Sequence, residues 1–77
     1  MATFTVKVMK NSKTVDAKGR PFRRVSDKET GQFYTLYSRK DLGLPMPEVG
    51  ELVDVSATLH PLGDGIKLIA FAIEPAS

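Results

Sequence analysis

A small all-β domain, with five short strands closed into a barrel, is the fold this sequence predicts. Three observations carry the expectation. Apolar and polar residues alternate at a period of two along several segments. Turn-forming residues separate each of these segments from the next, and no stretch repeats its apolar residues at helical spacing. Closing such strands on themselves buries one face of each and leaves few free edges.

The first strand is FTVKVMK, with Phe4, Val6 and Val8 on one face and Thr5, Lys7 and Met9 on the other. NSKTVDAKGRP follows, rich in turn formers and ions and too long for a tight hairpin, so a mobile loop is expected. FRRVSD supplies a short second strand, and KETG a turn in which Gly31 can take positive φ. QFYTLYS is dense in strand-favouring residues and sets Phe33, Thr35 and Tyr37 against Tyr34, Leu36 and Ser38. Two prolines and two glycines keep RKDLGLPMPEVG irregular, apart from one helical turn around residues 39–42. ELVDVSATL alternates again, with Val53, Val55, Ala57 and Leu59 on one face. HPLGDG reads as a hairpin loop. IKLIAFAI is nearly continuous in apolar residues, so both of its faces are expected to be covered. An OB-type barrel with protruding hairpin loops is the first expectation, an SH3-like barrel the second.

A chain of 77 residues has a marginal core and usually needs disulfides, a metal or a second copy of itself. It has no Cys, and His60 has no partner at ligand spacing, so neither a disulfide nor a metal site is expected. No apolar run approaches a membrane span, and the N-terminus lacks signal-peptide features; a soluble intracellular protein is the expectation. Enzymatic readings lack parts. There is no Cys nucleophile, no GxSxG and no phosphate-binding glycine loop, and His60 beside Pro61 is a solvent-exposed loop residue on its sequence context. Glu51 and Asp54 fall on opposite strand faces and make no carboxylate pair. No cofactor and no small-molecule substrate is expected.

The charge is unevenly placed. Residues 1–40 carry ten Lys/Arg against three acids, a balance of +7; residues 41–77 carry one against six, a balance of −5. Such asymmetry points to a polyanionic partner for the first half, although the two halves of a small domain can also neutralise each other. Four of the six aromatics (Phe22, Phe33, Tyr34 and Tyr37) are interleaved with Arg20, Arg23, Arg24, Arg39 and Lys40. Single-strand nucleic-acid binders need that pairing, cations for phosphates and flat rings for unstacked bases. At least two of these rings must serve the core of so small a barrel. Phe33 and Tyr34 are adjacent and face opposite ways; Tyr34 is the expected outward ring because its hydroxyl tolerates water. Phe22 is open to either role, and Phe4 and Phe71 belong to the core or to a subunit interface.

The order of features also resembles a known family. An alternating first strand, a basic loop ending in KGRPF (residues 18–22) and an aromatic hairpin GQFYTLY precede a Pro-rich bridge LPMPEVGELVDVS and a closing hairpin HPLGDGIKLIAFAIEPA. This is similar to the single-stranded DNA-binding, helix-destabilising proteins of filamentous bacteriophages, the gene V protein family. The resemblance implies an OB-fold homodimer that coats single-stranded phage DNA cooperatively in the host cytoplasm during replication, without enzymatic activity; members also bind messenger RNA as repressors. It implies DNA contacts at Lys18, Arg20 and Phe22, with Arg24 further along the same strand face. Phe33 or Tyr34 would be the exposed ring of the aromatic hairpin, and Lys13 and Arg39 further basic contacts. Residues 60–67 resemble the family's dyad loop, with Leu62 where a ring would stand. The apolar excess of the last strand points to Ile69, Phe71 and Ile73 meeting their symmetry mates, with Leu62, across a dimer interface. A peptide-binding SH3-like module, with a groove of Phe33, Tyr34 and Tyr37, and an RNA-binding OB domain are the alternatives.

Overall fold

A computed structural model of the chain describes residues 2–11 and 13–76; Met1, Ser12 and Ser77 lie outside the described residues. The five strands are β1 (Ala2–Val8), β2 (Arg23–Asp27), β3 (Phe33–Ser38), β4 (Leu52–Leu62) and β5 (Gly65–Pro75). They close into an all-β barrel in the order β1-β2-β3-β5-β4, with β1 pairing back onto β4. Every pairing is antiparallel except β3 with β5, which run parallel from Thr35↔Lys67 to Ser38↔Ala70. Among the described residues no helix is long and apolar enough to cross a membrane.

The period-two pattern builds the interior. Val6 and Val8 of β1, Val25 of β2, Leu36 of β3, Val53, Val55 and Ala57 of β4 and Leu68 and Ala70 of β5 form one buried cluster, with Phe4 packed against it. Asp27 ends β2. Its Oδ1 accepts the N–H groups of Glu29 (2.8 Å) and Thr30 (3.2 Å), and Gly31, at φ 75°, donates to the Asp27 carbonyl. The KETG turn thus has the left-handed glycine that its geometry requires.

Tyr34 is a correction to the sequence reading. It is 6% exposed and its ring meets Phe4 at 5.4 Å, while Phe33 is 52% exposed. Strand parity decided this: Tyr34 lies opposite Val25 and shares a face with Leu36, both fully buried. Burial, and then the charge of Asp27, push the Tyr34 hydroxyl up from its ordinary range.

Ile73 is a second correction. Ser56 pairs with Ala72 but Ala57 pairs with Ala70, so Phe71 is the extra residue of a β-bulge. One inserted residue reverses which side faces in. Ile73 therefore lies opposite Val55 and packs against the core, while Ile69 and Phe71 stay half-buried on the other side. Leu59 also departs from expectation, at 47% exposed, because β1 flanks β4 only as far as Ala57. The expected six-residue loop at HPLGDG is instead ladder through His60, Pro61 and Leu62, with only residues 63 and 64 left as the turn.

Between β3 and β4, where one helical turn was expected at residues 39–42, the chain makes a hydrogen-bonded turn and no helix, with the N–H groups of Leu42 and Gly43 both bonded to the Arg39 carbonyl. The segment then closes one end of the barrel. Arg23 donates through Nε to the carbonyl of buried Pro47 at 2.8 Å, and Leu44 packs against the core.

Candidate nucleic-acid interface

The long basic segment is a small hairpin where a mobile loop was expected. Val15 bridges Pro21, Phe22 N–H donates to the Thr14 carbonyl, and Asp16 N–H donates to the Arg20 carbonyl. Asp16 organises the turn. Its Oδ1 accepts from the backbone N–H of Lys18 (2.9 Å) and Arg20 (2.8 Å), and its Oδ2 from Arg20 Nε (3.1 Å) and the Tyr37 hydroxyl (3.2 Å). Gly19 sits at φ 81°, so its part is the left-handed turn position; a Cβ there would meet nothing within 4 Å.

This hairpin folds over the outer face of β2 and β3, which is why Thr35 and Tyr37 are each only 9% exposed although they face away from the barrel interior. Tyr37 is the hub of that face. The Arg20 guanidinium stands 5.1 Å from the centre of its ring, Lys67 Nζ 5.8 Å, and the Phe22 ring 5.9 Å at a tilt of 36°. Register carries the face further. One row runs Arg24, Thr35, Lys67, His60 across β2, β3, β5 and β4; the next runs Tyr37, Ile69, Thr58.

Two clefts result. The first, about 720 Å³, lies between the hairpin and the sheet. Lys13, Val15 and Asp16 line it from the hairpin, and Phe22, Arg24, Thr35 and Tyr37 from the β2–β3 side; Leu62, at the tip of the β4–β5 hairpin, closes it. The second, about 310 Å³, lies on the other side of Arg20 and shares Tyr37 with the first. The residues expected to touch DNA are thus divided. Lys13, Phe22 and Arg24 are gathered in the first cleft, and Arg20 and Arg39 line the second. Lys18 is exposed at the hairpin tip and lines neither. Phe33 is exposed two positions further back along β3, and Tyr34 is in the core. Leu62 lines the first cleft and Ile69 the second, places that the expectation of a dimer contact did not assign them. Asp16, Thr35 and Lys67 were missed as site residues, and Tyr37 was placed only in the alternative peptide groove. For Asp16 the available signal was the D-x-x-G spacing of a turn, and for Tyr37 its parity with the outward Phe33.

The cations differ in how free they are. Arg39 is paired with Asp41 through Nε (2.7 Å) and Nη2 (2.5 Å), but both side chains are more than half exposed, so solvent screens the pair and it holds the arginine weakly. A phosphate can displace it. Arg20 uses Nε toward Asp16, while its terminal nitrogens make no hydrogen bond to the described residues.

The Arg20 N–H lowers the Asp16 carboxyl most; burial, the next largest influence, opposes it, and the Lys18 N–H, the Arg20 side chain and the Tyr37 hydroxyl add to the lowering, so the carboxyl stays below its ordinary range. Burial first, then Asp16, push the Tyr37 hydroxyl up, which keeps it a donor. The sign follows from linkage. A depressed carboxyl contributes hairpin stability in full above its unfolded pKa of about 3.9 and loses it as pH falls through the lower folded value. The hairpin is therefore expected to hold at neutral pH and to open in acid below about pH 4. Amide exchange of Lys18 and Arg20 across that range checks this; protection that is flat with pH would show that the carboxylate does not hold the turn.

Among the described residues no group of three or more His, Asp or Glu side chains could hold a metal ion. Compared with family models, curated proteins and solved structures, the chain matches none.

Proposed function

We propose that this chain is an OB-type, single-stranded DNA-binding protein that holds phosphates with cations and stacks bases on an aromatic ring, with little sequence preference and no enzymatic step. One observation carries the reading. The first cleft is walled by the β1–β2 hairpin, floored by the outer β2–β3 face and closed by the β4–β5 tip. Those are the three parts of a five-stranded OB barrel that take oligonucleotides. The cleft offers Lys13 and Arg24 for phosphates and Phe22 for a base, and its single acid, Asp16, is occupied by four donors. With the resemblance to the gene V family, the reading extends to cooperative coating of phage single-stranded DNA in the host cytoplasm during replication, by a symmetric homodimer. Of the residues expected at the dimer contact, Phe71 on the outer side of β5 best fits that role, since Ile73 packs inward and Ile69 lines a cleft.

The test is a fluorescence titration with poly(dT) between low and moderate salt, following quenching of Tyr37, the tyrosine that lines the cleft. Saturable quenching that salt reverses is the expected result. Arg24→Ala is expected to lower the slope of log affinity against log salt by about 0.7, the share of one phosphate on a single strand. Arg24 serves better than Arg20 here, because removing Arg20 also releases Asp16. No quenching by a folded protein at low salt would overturn the reading in favour of a peptide-binding barrel; equal affinity for poly(rU) would make RNA an equal partner.

A further inference from the structure

We propose that the second cleft is a nucleotide subsite, so that one DNA strand runs from the first cleft over Arg20 and seats its next base beside Leu44 and Ile69. The inference rests on the reading of the first cleft as a single-strand site. The walls of the second cleft come from four places in the chain: Pro21 from the hairpin, Tyr37 and Ser38 from β3, Ile69 from β5, and residues 39, 40, 43 and 44 from the turn after β3. That turn is held in place. Arg39 N–H donates to the Ala70 carbonyl at 2.7 Å, Leu44 N–H to Ser38 Oγ at 2.8 Å, and Ser38 Oγ to the Arg39 carbonyl at 2.9 Å. A preformed wall costs no ordering when a ligand enters.

The chemistry of the lining selects the occupant. Pro21, Leu44 and Ile69 with Tyr37 make a largely apolar slot, which suits the flat face of a base. Arg20, Arg39 and Lys40 stand around it, and among the described residues no acid lines it. Asp41 lies just outside, paired with Arg39, and Asp16 faces the first cleft. Apolar walls with a cationic rim match a base carrying a phosphate. The volume falls at the lower end of the about 300–1,000 Å³ common to ligand sites. Continuity favours a strand over a free nucleotide: the two clefts share Tyr37, and the Arg20 guanidinium on that ring has unused terminal nitrogens for the phosphate between them.

The experiment is a methyl NMR titration of the full chain with a long oligothymidylate, a short one and thymidine monophosphate. The long strand is expected to shift Leu62 in the first cleft and Leu44 and Ile69 in the second. Arg39→Ala combined with Lys40→Ala, both at exposed positions, is expected to lower the salt slope for the long strand by about 1.4, two phosphate contacts' worth. Shifts at Leu62 alone, with an unchanged slope in the double variant, would overturn the subsite and leave the single-strand reading intact. Shifts of Leu44 and Ile69 by the monophosphate as large as those by the long strand would overturn the continuous path. No shift with any ligand would remove both readings.

Discussion

Leu36→Ala is expected to cost about 2–5 kcal/mol of unfolding free energy, the usual range for a buried leucine emptied to alanine. A chain of 77 residues has roughly 4–12 kcal/mol in total, at about 0.05–0.15 kcal/mol per residue, so the variant would lose a large share of its stability. Leu36 is fully buried at the middle of β3, opposite Leu68 across the one parallel seam of the barrel. The outward neighbours of Leu36 on that seam, Thr35 and Tyr37, line the first cleft. The cavity is therefore expected to reduce the folded fraction and leave the affinity of each folded molecule unchanged. Urea denaturation measures the first effect, and titration corrected for folded fraction the second. Leu36→Met, close in volume, should cost less than about 1.5 kcal/mol. If Leu36→Ala stayed within about 0.5 kcal/mol of the parent, as surface substitutions do, Leu36 would not be packed in the barrel's core.

What was legible in the sequence was whatever alternation marks. Phe4, Val6 and Val8, and again Val53, Val55 and Ala57, announce both strand and inward face, because a period of two leaves no other assignment. Five strands with turns between them were enough to expect a closed barrel. The misreadings lie where alternation is silent. IKLIAFAI is apolar on both sides, so nothing in it marks the bulge at Phe71 or the reversal that sends Ile73 inward. At Phe33 and Tyr34 the hydroxyl was weighed above the parity with Leu36; parity won, because the Tyr34 ring sits against Phe4 inside the barrel. The ingredients of the candidate site were legible and their arrangement was not. Basic residues interleaved with rings raise the expectation of a polyanion, but only closure brings Leu62 and Lys13 to the same cleft. The role of Asp16 depends on four donors converging on one carboxylate, and no spacing of residue types encodes that.

Phe22→Ala is expected to weaken binding to poly(dT), poly(dC) and poly(dA) by a similar factor, about 5- to 150-fold, which is the ~1–3 kcal/mol of one base–ring stack. Phe22 is half-buried, lies in the first cleft beside Arg24, and rests against Tyr37 instead of entering the barrel interior. It is the only exposed or half-exposed ring lining that cleft, since Tyr37 is covered and Tyr34 is in the core. Truncation alone would leave two explanations, lost stacking or a hairpin slipping off a thinner support. Phe22→Leu separates them, because leucine keeps the apolar contact with Tyr37 and lacks the flat face. If stacking is the role, the leucine variant keeps the hairpin's amide protection and still loses most of the affinity. Parent-like affinity in that variant would make Phe22 a packing residue and leave the cations to carry the binding. A loss confined to one polymer would mean that the cleft reads base edges, and a protein that reads edges is not one that coats any strand it meets.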